Sequence, residues 1–138
     1  MERYLNTITM LLSIFGGIVV RLLGGLDQLL DVFLFLIIVD FITGWIKAIA
    51  TKELSSRIGM LGIAKKVTML FVVAVAVRVE KVVGNNLPIR EMVLIFYIAN
   101  EGLSFFENIA TFIPMPKKLK ELFIQLKNNV DWLSFNNR

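Results

Sequence analysis

Residues Asp40 to Lys66 read DFITGWIKAIATKELSSRIGMLGIAKK, and the reading of this stretch decides the architecture. It opens inside one apolar run, at a carboxylate flanked by Val39 and Phe41. It closes on the lysine pair Lys65 and Lys66, which opens the next run. Between those ends lie Lys47, Lys52, Glu53, Arg57, two adjacent serines and two glycines three residues apart. In a membrane protein, a polar, net-positive connector between two apolar segments fixes which side faces the cytoplasm.

Composition places the chain in that class. Of 138 residues, 57% are hydrophobic and only 19% are charged, and the mean hydropathy is +0.74. A soluble domain of this size cannot bury so much apolar side chain. The apolar residues are also blocked rather than alternating, so lipid is the natural solvent for the blocks. Cysteine and histidine are both absent, which excludes disulfide scaffolds, sulfur or imidazole zinc sites and Cys/His nucleophiles. The net charge of +4 does not signal nucleic acid, because the basic residues sit at the edges of apolar runs, where they anchor and orient.

Upstream of the connector, Leu29 to Ala50 is the clearest span, with Phe33 to Val39 uninterrupted and Trp45 suited to headgroup level. Asp40, Thr43, Gly44 and Lys47 share one helical face. A carboxylate at that depth must face protein or water and find a partner. Lys47 is near in the same helix, and a cation from another helix or subunit serves equally. The first block, Leu5 to Leu26, has spanning length but carries a small, weakly polar stripe of Asn6, Thr9, Ser13, Gly16, Gly17, Arg21 and Gly24. That stripe reads as a close-packing seam or as a wall facing water in an assembly. A cleaved signal peptide is disfavoured, because a basic leader and an Ala-x-Ala site are lacking.

Downstream, Val67 to Val83 is a short span closed by Arg78, Glu80 and Lys81, followed by a turn at Gly84, Asn85, Asn86 and Pro88. Ile89 to Ile113 places Asn100, Glu101, Ser104, Glu107, Asn108 and Thr111 at steps of three and four. This predicts a polar face turned inward, opposite Leu94, Ile98, Phe105, Ile109 and Phe112. Pro114 and Pro116 end that helix. The tail sets Leu119, Leu122, Phe123, Leu126, Val130 and Leu133 against Lys117, Lys118, Lys120, Glu121 and Lys127, a helix for the membrane surface or for a neighbouring copy.

The expected fold is an all-α integral membrane protein of three to four transmembrane helices plus a C-terminal amphipathic cytoplasmic or interfacial helix. It forms one membrane domain over residues 1–138, with helices near 5–26, 29–50, 64–83 and 89–113 and a tail helix at 117–133. With four spans, the N-terminus, connector 51–66 and tail share a side holding eleven Lys and Arg, against Arg21, Arg78, Lys81 and Arg90 on the other. With three spans the split is ten against five, and connector and tail are cytoplasmic either way.

The ordered set Asp40, Thr43-Gly44, Lys52, Ser55-Ser56, Gly59, Gly62 and Lys65-Lys66 resembles the toxin-secretion/phage-lysis holin family. That group includes phage holins of Gram-positive hosts and the clostridial large-toxin export holin. The later Phe96-Tyr97, Glu101, Ser104, Glu107-Asn108 and Pro114-Met-Pro116-Lys117-Lys118-Leu119 agree, so the resemblance covers Phe35 to Lys127. It implies a bacterial cytoplasmic-membrane protein that self-assembles into pores for an endolysin or large toxin as cargo. No cofactor, metal or nucleic-acid partner is expected.

The pore or oligomer-interface candidates are Ser13, Gly17, Asp40, Gly44, Glu101, Ser104, Glu107 and Asn108. The competing reading pairs Asp40 and Glu101 with Lys47, Lys65 or Arg78 inside one protomer. A small ion channel or transporter subunit, with Asp40 and Glu101 as an ion or proton site, is the alternative function; against it stand the absence of an inverted repeat and of a Gly/Pro-broken helix pair. A membrane enzyme lacks a nucleophile or metal set, and Gly59-x-x-Gly62-x-x-Lys65 lacks phosphate-loop spacing.

Overall fold

Asp27 and Ser55 determine where two of the helices begin. The Asp27 carboxylate accepts a hydrogen bond from Leu30 N–H at 2.9 Å, and Ser55 Oγ accepts one from Ile58 N–H at 3.2 Å. Each satisfies a backbone donor that a helix start leaves open. The computed structural model describes residues 1–84 and 86–136, with side-chain surroundings described through Asn129. Those residues form α1 (Glu2–Leu22), α2 (Gln28–Ala50), α3 (Ser56–Val83), α4 (Ile89–Ile109) and α5 (Lys117–Asn136), with no strand among them. Asn85 of the expected turn and Arg138 of the charge count lie outside the described residues.

The protein is therefore all-helical, and three of the helices, α1, α2 and α3, are long and apolar enough to cross a membrane. α4 falls short on composition because of its charges, yet it runs alongside α2 and α3. Arg90 at its start bonds Asp27, and Asn108 at its end bonds Asp40. Arg90, Glu101 and Asn108, which lower its hydropathy, are turned against other helices rather than against lipid.

The core lies between α2, α3 and α4. Leu30 and Phe33 of α2, Met69 and Val73 of α3, and Leu94 and Ile98 of α4 are buried together, and Phe33 stacks on Tyr97 with ring centroids 5.7 Å apart. The spacing follows the helix period: Lys66, Met69, Val73, Val77 and Glu80 project from one face of α3. Along that face the middle is apolar and both ends are charged.

Three expectations are corrected. Most of the connector 51–66 is helix: α3 begins at Ser56, about two turns before the expected 64, because Ser55 caps it. Its two glycines are helix-packing positions. A Cβ on Gly59 would stand 3.4 Å from the Trp45 ring, and one on Gly62 would stand 3.9 Å from the Phe41 ring. α4 stops at Ile109, a turn short of 113, and residues 110–113 form a turn ahead of Pro114. On α4 the polar and apolar groups are segregated along the helix, not around it. Leu94, Ile98 and Glu101 are all buried on one face, so Glu101 is not opposite Leu94 and Ile98.

α5 folds back along α4. Phe123 packs edge-on against Phe106 at 5.0 Å between centroids, Gly102 leaves room for its ring, and Lys127 Nζ lies 5.9 Å from the centre of the Phe96 ring. Leu122, Ile124 and Leu126 stay exposed, so the amphipathic helix keeps apolar surface to spare. The side chains of Val130 and Leu133, expected on its apolar face, lie outside the described residues.

α1 differs from the other helices. None of its residues is buried, and it meets the core only near its end, through Val19 and the following Leu23.

Candidate functional site

Lys66 stands at the centre of a buried polar cluster. Its Nζ donates to Asp40 Oδ2 of α2 at 2.7 Å and to Glu101 Oε2 of α4, so one ammonium joins three helices. Glu101 is fully buried, and the Asp40 and Lys66 side chains are nearly so. Asn108 Nδ2 extends the cluster, donating to Asp40 Oδ1 at 3.0 Å and to the Asp40 carbonyl at 3.3 Å. Thr43 Oγ1 donates to its own helix at the Val39 carbonyl, 2.9 Å. Glu101 Oε1 is buried without a hydrogen-bond donor among the described residues, and Lys65 Nζ stands 3.8 Å from it.

In lipid such a cluster is held by pairing. Removing two carboxylates and an ammonium from water is costly, and their mutual attraction together with supporting hydrogen bonds offsets that cost. Asp40, Lys66 and Asn108 of the cluster line a cleft of about 340 Å³ together with Gly44, Trp45, Ser55 and Ser104.

The sequence candidates therefore divide. Asp40, Glu101 and Asn108 come together in one protomer, and Gly44 lies beside them, where a Cβ would be 3.5 Å from Asn108 Nδ2. Ser104 lines the cleft. Glu107 is exposed on another side of α4. Ser13 and Gly17 lie apart on α1, exposed, with Ser13 Oγ donating to the Thr9 carbonyl of its own helix at 2.8 Å. Of the cations considered from sequence for Asp40 and Glu101, Lys65 reaches Glu101 at 3.8 Å and neither Lys47 nor Arg78 pairs with them, while Lys66, which was not among them, is the main partner of both. The signal for Lys66 was its register with Met69 and Val73 on the core face of α3.

A second cluster, not anticipated from sequence, closes the other end of the bundle. Arg90 is buried at the start of α4, where its guanidinium donates to Asp27 Oδ2 at 2.6 Å, to the Leu23 carbonyl at 2.7 Å and to the Gly25 carbonyl at 3.1 Å. Its backbone N–H donates to Glu80 Oε2 at 2.8 Å. The Arg90 hydrogen bonds hold the Asp27 carboxyl below its ordinary value. Gly24 has φ +92°, and a Cβ there would collide with the Arg90 side chain.

A profile of the bacteriophage holin family matches residues 17–128, a segment that contains both clusters. The chain belongs to this holin family. An uncharacterized 14.9 kDa protein of Clostridium perfringens is 38% identical over 130 residues, covering 93% of this chain and 98% of its own length. An uncharacterized protein of Listeria monocytogenes is 37% identical over 111 residues, covering 80% and 79%. A probable holin of Bacillus phage phi105 is 43% identical over 88 residues, covering 64% and 65%. No solved structure matches the chain. Family and apolar helices together make this holin-family chain a membrane protein.

Proposed function

We propose that copies of this protein assemble in the bacterial cytoplasmic membrane into lesions that let an endolysin or a large toxin cross, without catalysis. The observation that supports this most is α1: a helix of spanning length with no buried residue. The hydroxyls of Thr7, Thr9 and Ser13 donate to carbonyls of their own helix, so α1 tolerates lipid while alone. Gly16 and Gly17 have open space around them, which suits close approach by another helix. Ser13 and Gly17 are then the self-association positions, with Glu107 exposed towards a neighbour. Asp40 and Glu101 are held by Lys66 until subunits rearrange.

The orientation that goes with this reading places residues 51–55, the positively charged start of α3 and the tail on the cytoplasmic side, where Lys and Arg predominate. The channel alternative needs Asp40 and Glu101 open to an ion. Lys66 already occupies the space between them, which favours the lesion.

The test is induced expression beside a cytoplasmic endolysin lacking an export signal, following membrane potential and release of a folded cytoplasmic enzyme. Abrupt lysis with release, only when both proteins are present, is expected. Depolarisation without release would replace the lesion by a small channel.

A further inference from the structure

α1 and α3 approach each other at the α1–α2 loop end of the bundle around a cavity of about 350 Å³ lined by Ile18, Arg21, Leu22, Arg78 and Lys81. Three cations and no carboxylate line it. None of the three cations takes part in an ion pair among the described residues, whereas Arg90 nearby is fully engaged by Asp27. The acids of the adjoining cavity are turned to Arg90: Asp27 through its guanidinium, Glu80 through its N–H, and Glu91 at 3.8 Å from Nη1.

Arg21 and Lys81 lie in the last turns of α1 and α3, where a cation complements the helix dipole. Arg78, three residues before Lys81 and outside the last turn, has no such explanation. Between the exposed Lys65 and Arg78, α3 presents no charge outward for only twelve residues, about 18 Å of helix, which is well short of a hydrocarbon core of about 30 Å. Arg78 therefore draws headgroups inward or meets one at its own depth.

We propose that this cavity binds the phosphate of an anionic phospholipid from the adjacent leaflet. The guanidiniums of Arg21 and Arg78 and the Lys81 ammonium take the phosphate oxygens, and Ile18 and Leu22 lie along the acyl chain. Guanidinium suits phosphate because its paired N–H groups match two oxygens. The lipid also joins α1 to α3, which the protein itself packs only weakly together. The site stands on these residues alone and does not depend on lesion formation.

Native mass spectrometry of the full chain, released from nanodiscs of mixed phosphatidylglycerol and phosphatidylcholine, tests it. The wild type retains phosphatidylglycerol preferentially, and Arg78→Gln/Lys81→Gln loses that preference by roughly tenfold or more, since each basic side chain near a headgroup contributes measurably. Arg21→Gln, on the helix with least packing, keeps the fold and still loses roughly fivefold on the same basis. Lys117→Gln/Lys118→Gln, at the other end of the chain, retains the preference. An unchanged preference in Arg21→Gln or in Arg78→Gln/Lys81→Gln overturns the site. Displacement of the bound lipid by millimolar inorganic phosphate would make it a free-phosphate site and overturn the lipid assignment.

Discussion

Lys66 Nζ lies 2.7 Å from Asp40 Oδ2 and also pairs with Glu101, so a single buried ammonium is shared by carboxylates from the two helices that flank α3. The charges are unequal: two acids meet one full partner, with Lys65 at 3.8 Å from Glu101 and half exposed. The three members of the cluster should therefore respond differently to substitution.

Lys66→Met leaves two carboxylates buried together, and removing one partner of a buried pair costs about 3–5 kcal/mol. Asp40→Asn keeps an acceptor for Asn108 and leaves Lys66 matched with Glu101. Its loss of thermal stability in detergent, followed by circular dichroism, should be less than half that of Lys66→Met. Equal losses would mean that Asp40, not the shared lysine, holds the helices.

Asp27 carries a pH signature. Its carboxyl is held below the ordinary value, mainly by the Arg90 side chain and against the opposing effect of burial. A depressed folded-state value contributes stability that is complete above the ordinary carboxylate value and is lost as pH falls through the lower, folded one. Melting temperature measured from pH 6 down to pH 3 should fall less steeply in Asp27→Asn than in the wild type. Parallel curves would remove Asp27 from the acid response. Because Asp27 is half exposed, the effect is modest.

Gly24 and Gly25 separate strain from collision. Both have positive φ, +92° and +98°, but only at Gly24 does a Cβ meet Arg90. Gly25→Ala should lose about 1 kcal/mol from backbone strain. Gly24→Ala should lose clearly more, because it also dislodges the guanidinium that closes this end of the bundle. Chemical denaturation in detergent ranks the two.

Gly102→Ala probes the α4–α5 seat. The added methyl would collide with the Phe123 ring, so α5 should leave α4 while the α2–α3–α4 core persists. Hydrogen exchange should rise in α5 alone. Exchange rising equally in α2 would show that α5 is part of the core.

Much of the fold was legible because blocked hydropathy fixes helices in lipid: α1, α2 and α3 all fall on predicted spans. The misreadings have local causes. Glycines and serines between charges looked like connector, when Ser55 was a cap and Gly59 and Gly62 were packing positions against Trp45 and Phe41. Steps of three and four on α4 suggested a face opposite Leu94 and Ile98. The register over two further turns brings Glu101 and Asn108 back above those residues. Asp40 and Glu101 were visible as carboxylates needing a partner, but choosing Lys66 over Lys47 required knowing which face of α3 meets the core. The Arg90 cluster escaped because its acceptors are backbone carbonyls, which sequence does not display.

The most direct test of the division between a self-paired core and a free α1 uses the absence of native cysteine. Single cysteines at Ser13 and, on the opposite side of α1, at Phe15 would be oxidised in native membranes and the products separated by size. Disulfide-linked dimers forming at Ser13→Cys well before Phe15→Cys is the expected result. No dimer at either position, or equal dimer at both, would contradict assembly through the small-residue face of α1.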